Sequence, residues 1–372
     1  MIYTERMKNN FVPEYVIEVA DSKLGMKGVL VIDNTVLGPG KGGIRMTNNI
    51  TTEEVKRLAR TMTWKNALAD LPFGGAKAGL VMTTSDLKLK QAQVQSFARA
   101  LKPFLIKKYI AGPDVNSGER EMAWFAQAVG NRRAATGKPR RLGGLPHELG
   151  STGYGVARAT KAAVEALGLP LKGTTVAIDG FGNVGTFAMK FLIELGARVV
   201  AVADSGGTIY NQEGLPQKEL LKWKQTKRTV ATFPGGQKLG RGDIFGLTVD
   251  ILIPASVTDV INKHNKDEVR AKIIVEGANI PMPEEIETEL SARDILIVPD
   301  FIANAGGVIS SYAEYRGFSA DKMFKLVEQK IDRLTTEVMK TSLEKKKNPR
   351  VVALALAETK IETAMKKRRA VF

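Results

Sequence analysis

The chain has 372 residues, 44% of them hydrophobic and 25% charged, with a formal net charge of +16 and no cysteine. That length accommodates two domains with a sizeable core, and the missing thiols exclude disulfides, thiol catalysis and thiolate metal sites. Only His147 and His264 are imidazoles, so no metal centre is expected, and with no membrane-length apolar run or signal-peptide core a cytoplasmic location is expected.

The basic clusters Lys345-Lys346-Lys347 and Lys366-Lys367-Arg368-Arg369 carry no interleaved aromatics. They read as solvated surface, so anionic small molecules are the expected partners, and neither nucleic acid nor membrane is. In chain order, alternating apolar segments at 14–19 and 27–33 read as strands. The stretch 38–45 reads as a glycine loop that carries Lys41. A helix follows, capped by Thr51 or Thr52, with Val55, Leu58, Ala59, Met62 and Asn66 near helical spacing. A second glycine loop, 72–79, carries Lys77. A helix over 91–101 leads to a short strand at 108–111, which ends at Gly112-Pro113-Asp114 and so puts a carboxylate at a strand terminus. The segment 134–150 holds Gly137, Pro139, Gly143, Gly144, Pro146 and Gly150, and reads as a hinge or domain boundary.

Lys41, Lys65 and Lys77 all flank glycine-rich stretches. Together they point to a polyanionic small substrate, with one lysine reactive. Bringing a lysine down to pH 7–8 takes roughly three pH units, about 4 kcal/mol, which burial and neighbouring cations can supply.

The most informative stretch is 174–205. An apolar run, Thr174 to Ile178, precedes the turn Gly180-Phe181-Gly182-Asn183-Val184-Gly185. A helical pattern follows, and then a second apolar strand from Arg198 that closes on Asp204. Gly180 suits a tight turn, Gly182 a close approach of backbone to a pyrophosphate, and Gly185 close packing of helix on strand. The helix start offers free N–H groups to phosphate, and Asp204, roughly twenty residues on, is placed to accept from a ribose hydroxyl. NAD is the expected cofactor, with NADP also used: the carboxylate disfavours a 2′-phosphate, while Ser205, Gly206, Gly207 and the cations Lys222, Lys224 and Arg241 can accommodate one. Further strands are expected at 249–253, 272–275 and 295–298. The pattern then turns helical, with Met323, Val327, Ile331, Leu334 and Val338 as a core stripe. The fold class is α/β, with a doubly wound, Rossmann-like dinucleotide domain.

In order along the chain, GPGKGGIRM (38–46), TWKNALADLPFGGAKAGL (63–80), GPDVNSGEREMAW (112–124), TGKP (136–139), STGYG (151–155), the GFGNVG turn, EGAN (276–279) and PDFIANAGGVISSY (299–312) stand in this sequence. Over nearly its whole length it resembles the glutamate, leucine, phenylalanine and valine dehydrogenases, and most of all those acting on glutamate. The resemblance implies a substrate and assembly domain at 1–150, the dinucleotide domain at 151–304, C-terminal helices at 305–372 returning to the first domain, and a cleft between the two. It implies that Lys65 holds the substrate α-carboxylate, that Lys77 activates a water, and that Asp114 shuttles protons to and from the amino group. Lys41 and Ser311 match the pair that binds a side-chain carboxylate. Thr152, Asn279 and Asn304 match positions near the nicotinamide and its ribose. The implied reaction is the reversible oxidative deamination of L-glutamate to 2-oxoglutarate and ammonium, in a homohexamer. Gly112 stands where many relatives carry alanine, and Pro146-His147 where Gly-Arg is common.

Two other readings are weighed. A dehydrogenase for an apolar amino acid would leave Lys41 without its anion. A catalytically silent regulatory subunit would have no chemical need for Lys65, Lys77 and Asp114 together.

Overall fold

A computed structural model of the chain describes residues 12–146 and 149–369, so His147 lies outside the described residues. Internal contacts divide the chain into two units. Of the described residues, one unit holds 12–146, 149, 308–323 and 354–369; the other holds 150–307 and 324–353.

The first unit is built on a five-stranded sheet of β1 (Tyr15–Asp21), β2 (Met26–Asn34), β3 (Gly40–Thr47), β4 (Gly74–Val81) and β5 (Tyr109–Pro113), in the order β1-β2-β4-β3-β5. β2 pairs antiparallel with β1 and β4, whereas β3 runs parallel to β4 and β5. The stretches 38–45 and 72–79, glycine-rich enough to read as loops, thus supply two inner strands of the sheet. The reason lies in the alternation of strand side chains between faces. Ile44, Met46, Ala76, Ala78 and Leu80 join Val94 and Phe97 of α2 (Leu87–Ala100) and Met122 and Phe125 of α3 (Glu119–Ala128) in one buried cluster. Full burial of each of the larger chains contributes about 1.5–3 kcal/mol. The alternate positions Lys41, Gly43, Arg45, Gly75, Lys77 and Gly79 take the opposite face, on which α1 (Thr52–Leu68) lies. Glycine there makes room for the helix: a Cβ on Gly75 would stand 2.0 Å from Thr63 Oγ1. The helix begins at Thr51, whose Oγ1 accepts from Glu54 N at 3.2 Å.

The second unit carries a seven-stranded sheet of β6 (Thr175–Asp179), β7 (Arg198–Asp204), β8 (Gly207–Tyr210), β9 (Gln237–Leu239), β10 (Ile251–Pro254), β11 (Ile273–Val275) and β12 (Leu296–Val298). Its order is β12-β11-β10-β6-β7-β8-β9, with every pairing parallel except the antiparallel β7–β8 and β8–β9. β6 lies between β7 and β10, so the sheet reverses its winding there, and the carboxyl ends of β6 and β10 mark the switch point where such sheets bind ligands. Helices α4 (Ser151–Ala166), α5 (Asn183–Glu194), α6 (Gln217–Lys227), α7 (Glu284–Ser291) and α8 (Asp300–Ala303) accompany the sheet. Three further helices, α9 (Gly306–Tyr315), α10 (Ala320–Lys345) and α11 (Pro349–Arg369), complete the described chain, and all five residues of the α10 stripe are buried. At the start of α11, Arg350 donates to Glu276, Glu287 and Asp300.

Candidate functional site

The face of the first sheet that carries α1 gathers the charges singled out in the sequence. Lys77 Nζ lies 2.9 Å from Asp114 Oδ2, the residue that follows β5. Arg45 Nε, from β3, donates to the same oxygen at 2.9 Å, and its NH1 reaches Glu54 Oε1 of α1 at 2.8 Å. Burial alone would raise the Asp114 carboxyl, but Lys77 and Arg45 outweigh it and hold the group below the ordinary carboxylate value. Burial pushes the Lys77 ammonium down, and Asp114 opposes that only in part. The two groups are thus in close contact, with the Asp114 carboxylate favoured and the Lys77 ammonium disfavoured.

Lys41, two residues into β3, is 3% exposed. Among the described residues it makes no ion pair; its Nζ donates to Ala111 O at 3.0 Å. Burial lowers its pKa to about 7, with Glu314 opposing and Lys138 and Lys77 adding to the fall. Room for the ammonium comes from Gly112, where a Cβ would stand 2.4 Å from Nζ. The departure at Gly112 noted in the sequence therefore acts directly on Lys41. Lys65 is half-buried in the last turn of α1, and Ser311 is half-buried on α9, one helical turn before Glu314.

Sequence reasoning assigned no role to Arg45, Glu54, Lys138 or Glu314. Lys138 Nζ donates to Glu314 Oε1 and to Ala135 O, while Glu314 Oε2 also accepts from the N–H groups of Gly137 at 2.9 Å and Leu145 at 3.0 Å. One carboxylate thus fixes the 137–145 segment to α9. The only signal in the sequence was the presence of Arg45 and Lys138 within otherwise diagnostic motifs.

In the second unit, the turn after β6 has the shape a pyrophosphate needs. Gly180 has φ +101°, in the region that favours glycine, and a Cβ there would lie 2.6 Å from Ser256 Cα. A Cβ on Gly185 would stand 2.0 Å from Gly180 O, so helix and turn could not close on each other. Gly182 caps α5 and has nothing within 4 Å of its missing Cβ, leaving open the approach to the first-turn N–H groups. Asn183 is exposed and Val184 half-buried, whereas Phe181 is buried and spends its N–H on Ala203 O at 2.9 Å. These residues fit a dinucleotide. Asp204 closes β7 and is fully occupied within the chain. Its Oδ1 accepts from Gly206 N at 2.9 Å and Thr229 Oγ1 at 2.8 Å; its Oδ2 accepts from Val230 N at 2.8 Å and from Lys224 Nζ. Burial would raise its carboxyl, but Lys224 and the other donors lower it. Asn304 Nδ2 donates to Asn279 Oδ1 at 3.0 Å and to Ala278 O at 3.2 Å, so two of the three positions expected near the nicotinamide touch each other; Thr152 lies in the first turn of α4. Among the described residues no cluster could hold a metal ion, and no helix is long and apolar enough to cross a membrane.

Comparison with known proteins bears on both halves. The sequence profile of the Glutamate/Leucine/Phenylalanine/Valine dehydrogenase family matches residues 143–369, and that of the Glu/Leu/Phe/Val dehydrogenase dimerisation domain matches 13–131. A glutamate dehydrogenase of Aeropyrum pernix is 40% identical over 355 residues, covering 90% of this chain and 85% of its own. An NADP-specific glutamate dehydrogenase of Saccharolobus shibatae is 38% identical over 380 residues, covering 96% and 90%. Among solved structures, the hetero-hexameric glutamate dehydrogenase of Thermus thermophilus in its Leu-bound form superposes with a TM-score of 0.85 at 28% identity, covering 96% of this chain and 90% of that one.

Proposed function

The chain belongs to the glutamate/leucine/phenylalanine/valine dehydrogenase family, and from that premise we propose that it catalyses the reversible oxidative deamination of L-glutamate to 2-oxoglutarate and ammonium. The observation that carries the choice of glutamate is Lys41, a buried lysine whose nitrogen makes no ion pair among the described residues. Such a charge is costly to leave unpaired, and a substrate side-chain carboxylate would complete it. An apolar amino acid would leave it uncompensated.

The geometry and family membership support the following roles. Lys65 takes the α-carboxylate, and Lys41 with Ser311 takes the side-chain carboxylate. A nicotinamide bound here would supply the acceptor for the hydride that leaves the substrate α-carbon. Asp114 draws a proton from the substrate α-ammonium, which frees the nitrogen lone pair as the C–H bond breaks. Lys77, with its ammonium destabilised by burial, takes a proton from the water that attacks the resulting iminium carbon. Thr152, Asn279 and Asn304 would hold the nicotinamide and its ribose, and the turn from Gly180 to Gly185 the pyrophosphate.

The cofactor is a nicotinamide dinucleotide. Within that class the reading is a preference for NAD with NADP also accepted. Asp204 supports the first part through its charge, which disfavours a 2′-phosphate beside it even though its oxygens are engaged within the chain. Lys224 beside it, and the NADP-specific relative, support the second. A homohexamer is the proposed assembly, supported by the dimerisation-domain match and the hexameric structural neighbour.

Assays of purified protein with glutamate and leucine, each with NAD and NADP, test the substrate; a higher kcat/KM for leucine would overturn it. Asp114→Asn keeps the shape but removes the proton acceptor, and turnover should fall by about two to four orders of magnitude. Near-normal turnover would remove Asp114 from the mechanism.

A further inference from the structure

The Lys77–Asp114 pair does not stand alone. Both hydrogen bonds donated to the Asp114 carboxylate end on Oδ2, one from Lys77 and one from Arg45; Oδ1 receives none among the described residues. Arg45 is held in turn from behind, its NH1 on Glu54 Oε1 at 2.8 Å. The three strands and one helix that meet here each contribute one charge: Arg45 from β3, Lys77 from β4, Asp114 after β5, and Glu54 from the first turn of α1. Arg45 and Glu54 keep part of their surface exposed, at 22% and 30%, against 8% for Lys77 and 15% for Asp114.

We propose that Arg45, backed by Glu54, is the positioning residue of the Lys77–Asp114 pair: it anchors Oδ2 so that Oδ1 is the oxygen offered to the substrate amine, and Arg45 and Glu54 set in opposite senses how readily the pair gives up its protons. The inference rests on the reading of Lys77 and Asp114 as the proton-transfer groups. It goes further in giving two residues outside the reacting set a defined and signed influence on them.

The physical argument is one of geometry and charge. A carboxylate gripped through one oxygen by two cations from different strands cannot rotate without breaking both contacts, so the free oxygen has a fixed direction. The guanidinium does what a third lysine could not, because its planar fork engages Asp114 with Nε and Glu54 with NH1 at the same time. Arg45 helps to hold Asp114 ionised and helps to lower Lys77, while Glu54 acts on Lys77 in the opposite direction. Other groups face the pair too: the buried Tyr109 hydroxyl of β5, which donates to Gly42 O, and the Lys41 ammonium further along β3. α1 also carries Lys65, in its last turn. None of these contacts the Asp114 carboxylate through a hydrogen bond that replaces Arg45.

Removing the Arg45 charge therefore raises the pKa of Asp114 and of Lys77 together, and neutralising Glu54 lowers that of Lys77, so the pair shifts one way or the other whichever group the kinetics report. The test is the pH profile of kcat/KM for glutamate oxidation, from pH 6 to 10 at saturating cofactor, in the full-length wild type, Arg45→Met, Arg45→Lys and Glu54→Gln. The substrate's own ionisation is common to all four, so differences between them belong to the enzyme. Arg45→Met should move the acid limb up by about one to two pH units. Arg45→Lys should recover part of that shift, and Glu54→Gln should move the limb down by about half a unit. A purely structural role for the two residues would lower activity or melting temperature without shifts of opposite sign. Limbs that stay at the wild-type position in Arg45→Lys and Glu54→Gln, or that move in the same direction in both, overturn the proposal, and those two variants decide it even if Arg45→Met does not fold. Asp114→Asn and Lys77→Ala separate the two levels. If both keep near-normal turnover, the reading of the pair is wrong; if both lose it while the limbs stay fixed, only the role of Arg45 and Glu54 is wrong.

Discussion

Replacing Lys41 by methionine should stabilise the protein while it damages glutamate use, and the two effects can be sized from its burial. A fall from an ordinary lysine's 10.5 to about 7 corresponds to roughly 5 kcal/mol at about 1.4 kcal/mol per pH unit. The sign follows from proton counting. The folded state disfavours the ammonium, so the penalty is complete below the folded pKa of about 7. It fades as pH rises toward the unfolded value, because a neutral amine is then the ground state in both. Lys41→Met should therefore gain up to roughly 5 kcal/mol over the wild type at pH 6, and only about 2 kcal/mol at pH 9. Urea denaturation of both proteins across that range measures the difference directly. Loss of one charge-assisted contact of about 1.5–3 kcal/mol should at the same time lower kcat/KM for glutamate roughly 10- to 150-fold. A gain in stability that is the same at pH 6 and pH 9, or unchanged glutamate kinetics, would refute the argument that Lys41 is a buried charge awaiting an anion.

Two other substitutions probe neighbouring parts of the molecule. Glu314→Gln removes the partner of a buried lysine and should cost about 3–5 kcal/mol in a denaturation experiment; a loss under 1 kcal/mol would mean that the Lys138 pair is solvated. Because Glu314 also opposes the fall in the Lys41 pKa, the same variant should raise the glutamate KM at pH 7 more than at pH 6, which saturation kinetics at the two pH values would show. Asp204→Ser frees Lys224 from its carboxylate and removes the repulsion of a 2′-phosphate, so the ratio of kcat/KM values should move toward NADP by about tenfold or more. An unchanged ratio would show that Asp204 does not read the ribose.

The dinucleotide unit was legible in the sequence because its signals are local. Strand, glycine turn, helix, strand and acid follow one another between Thr174 and Asp204, and the structure lays them out in that order. The inner strands β3 and β4 were not, because strand preference counts branched and aromatic residues, while here every second position is glycine or a charge that must leave space for α1. β8 and the edge strand β9 are short, too brief to leave a pattern. Lys77 and Asp114 could be named from their motifs, but their contact could not, since they stand 37 positions apart on strands that only the folded sheet brings together. The grip of Arg45 on Asp114 and of Glu314 on Lys138 could not be read locally: those partners lie 69 and 176 positions away, and only the folded sheet and α9 bring them near.

That last separation has a consequence for the birth of the molecule. The segment around Lys138 is completed by a carboxylate that leaves the ribosome 176 residues later, roughly ten to thirty-five seconds at ordinary synthesis rates. Until then the amides of Gly137 and Leu145 and the Lys138 ammonium have no Glu314 to receive them. The first sheet can assemble early from residues 15–113, but the wall beside Lys41 must wait for nearly the whole chain. A nascent chain halted near residue 150 would thus hold a sheet with an unfinished flank, a form to which chaperones would bind and which proteases would cut first between Thr136 and Leu145.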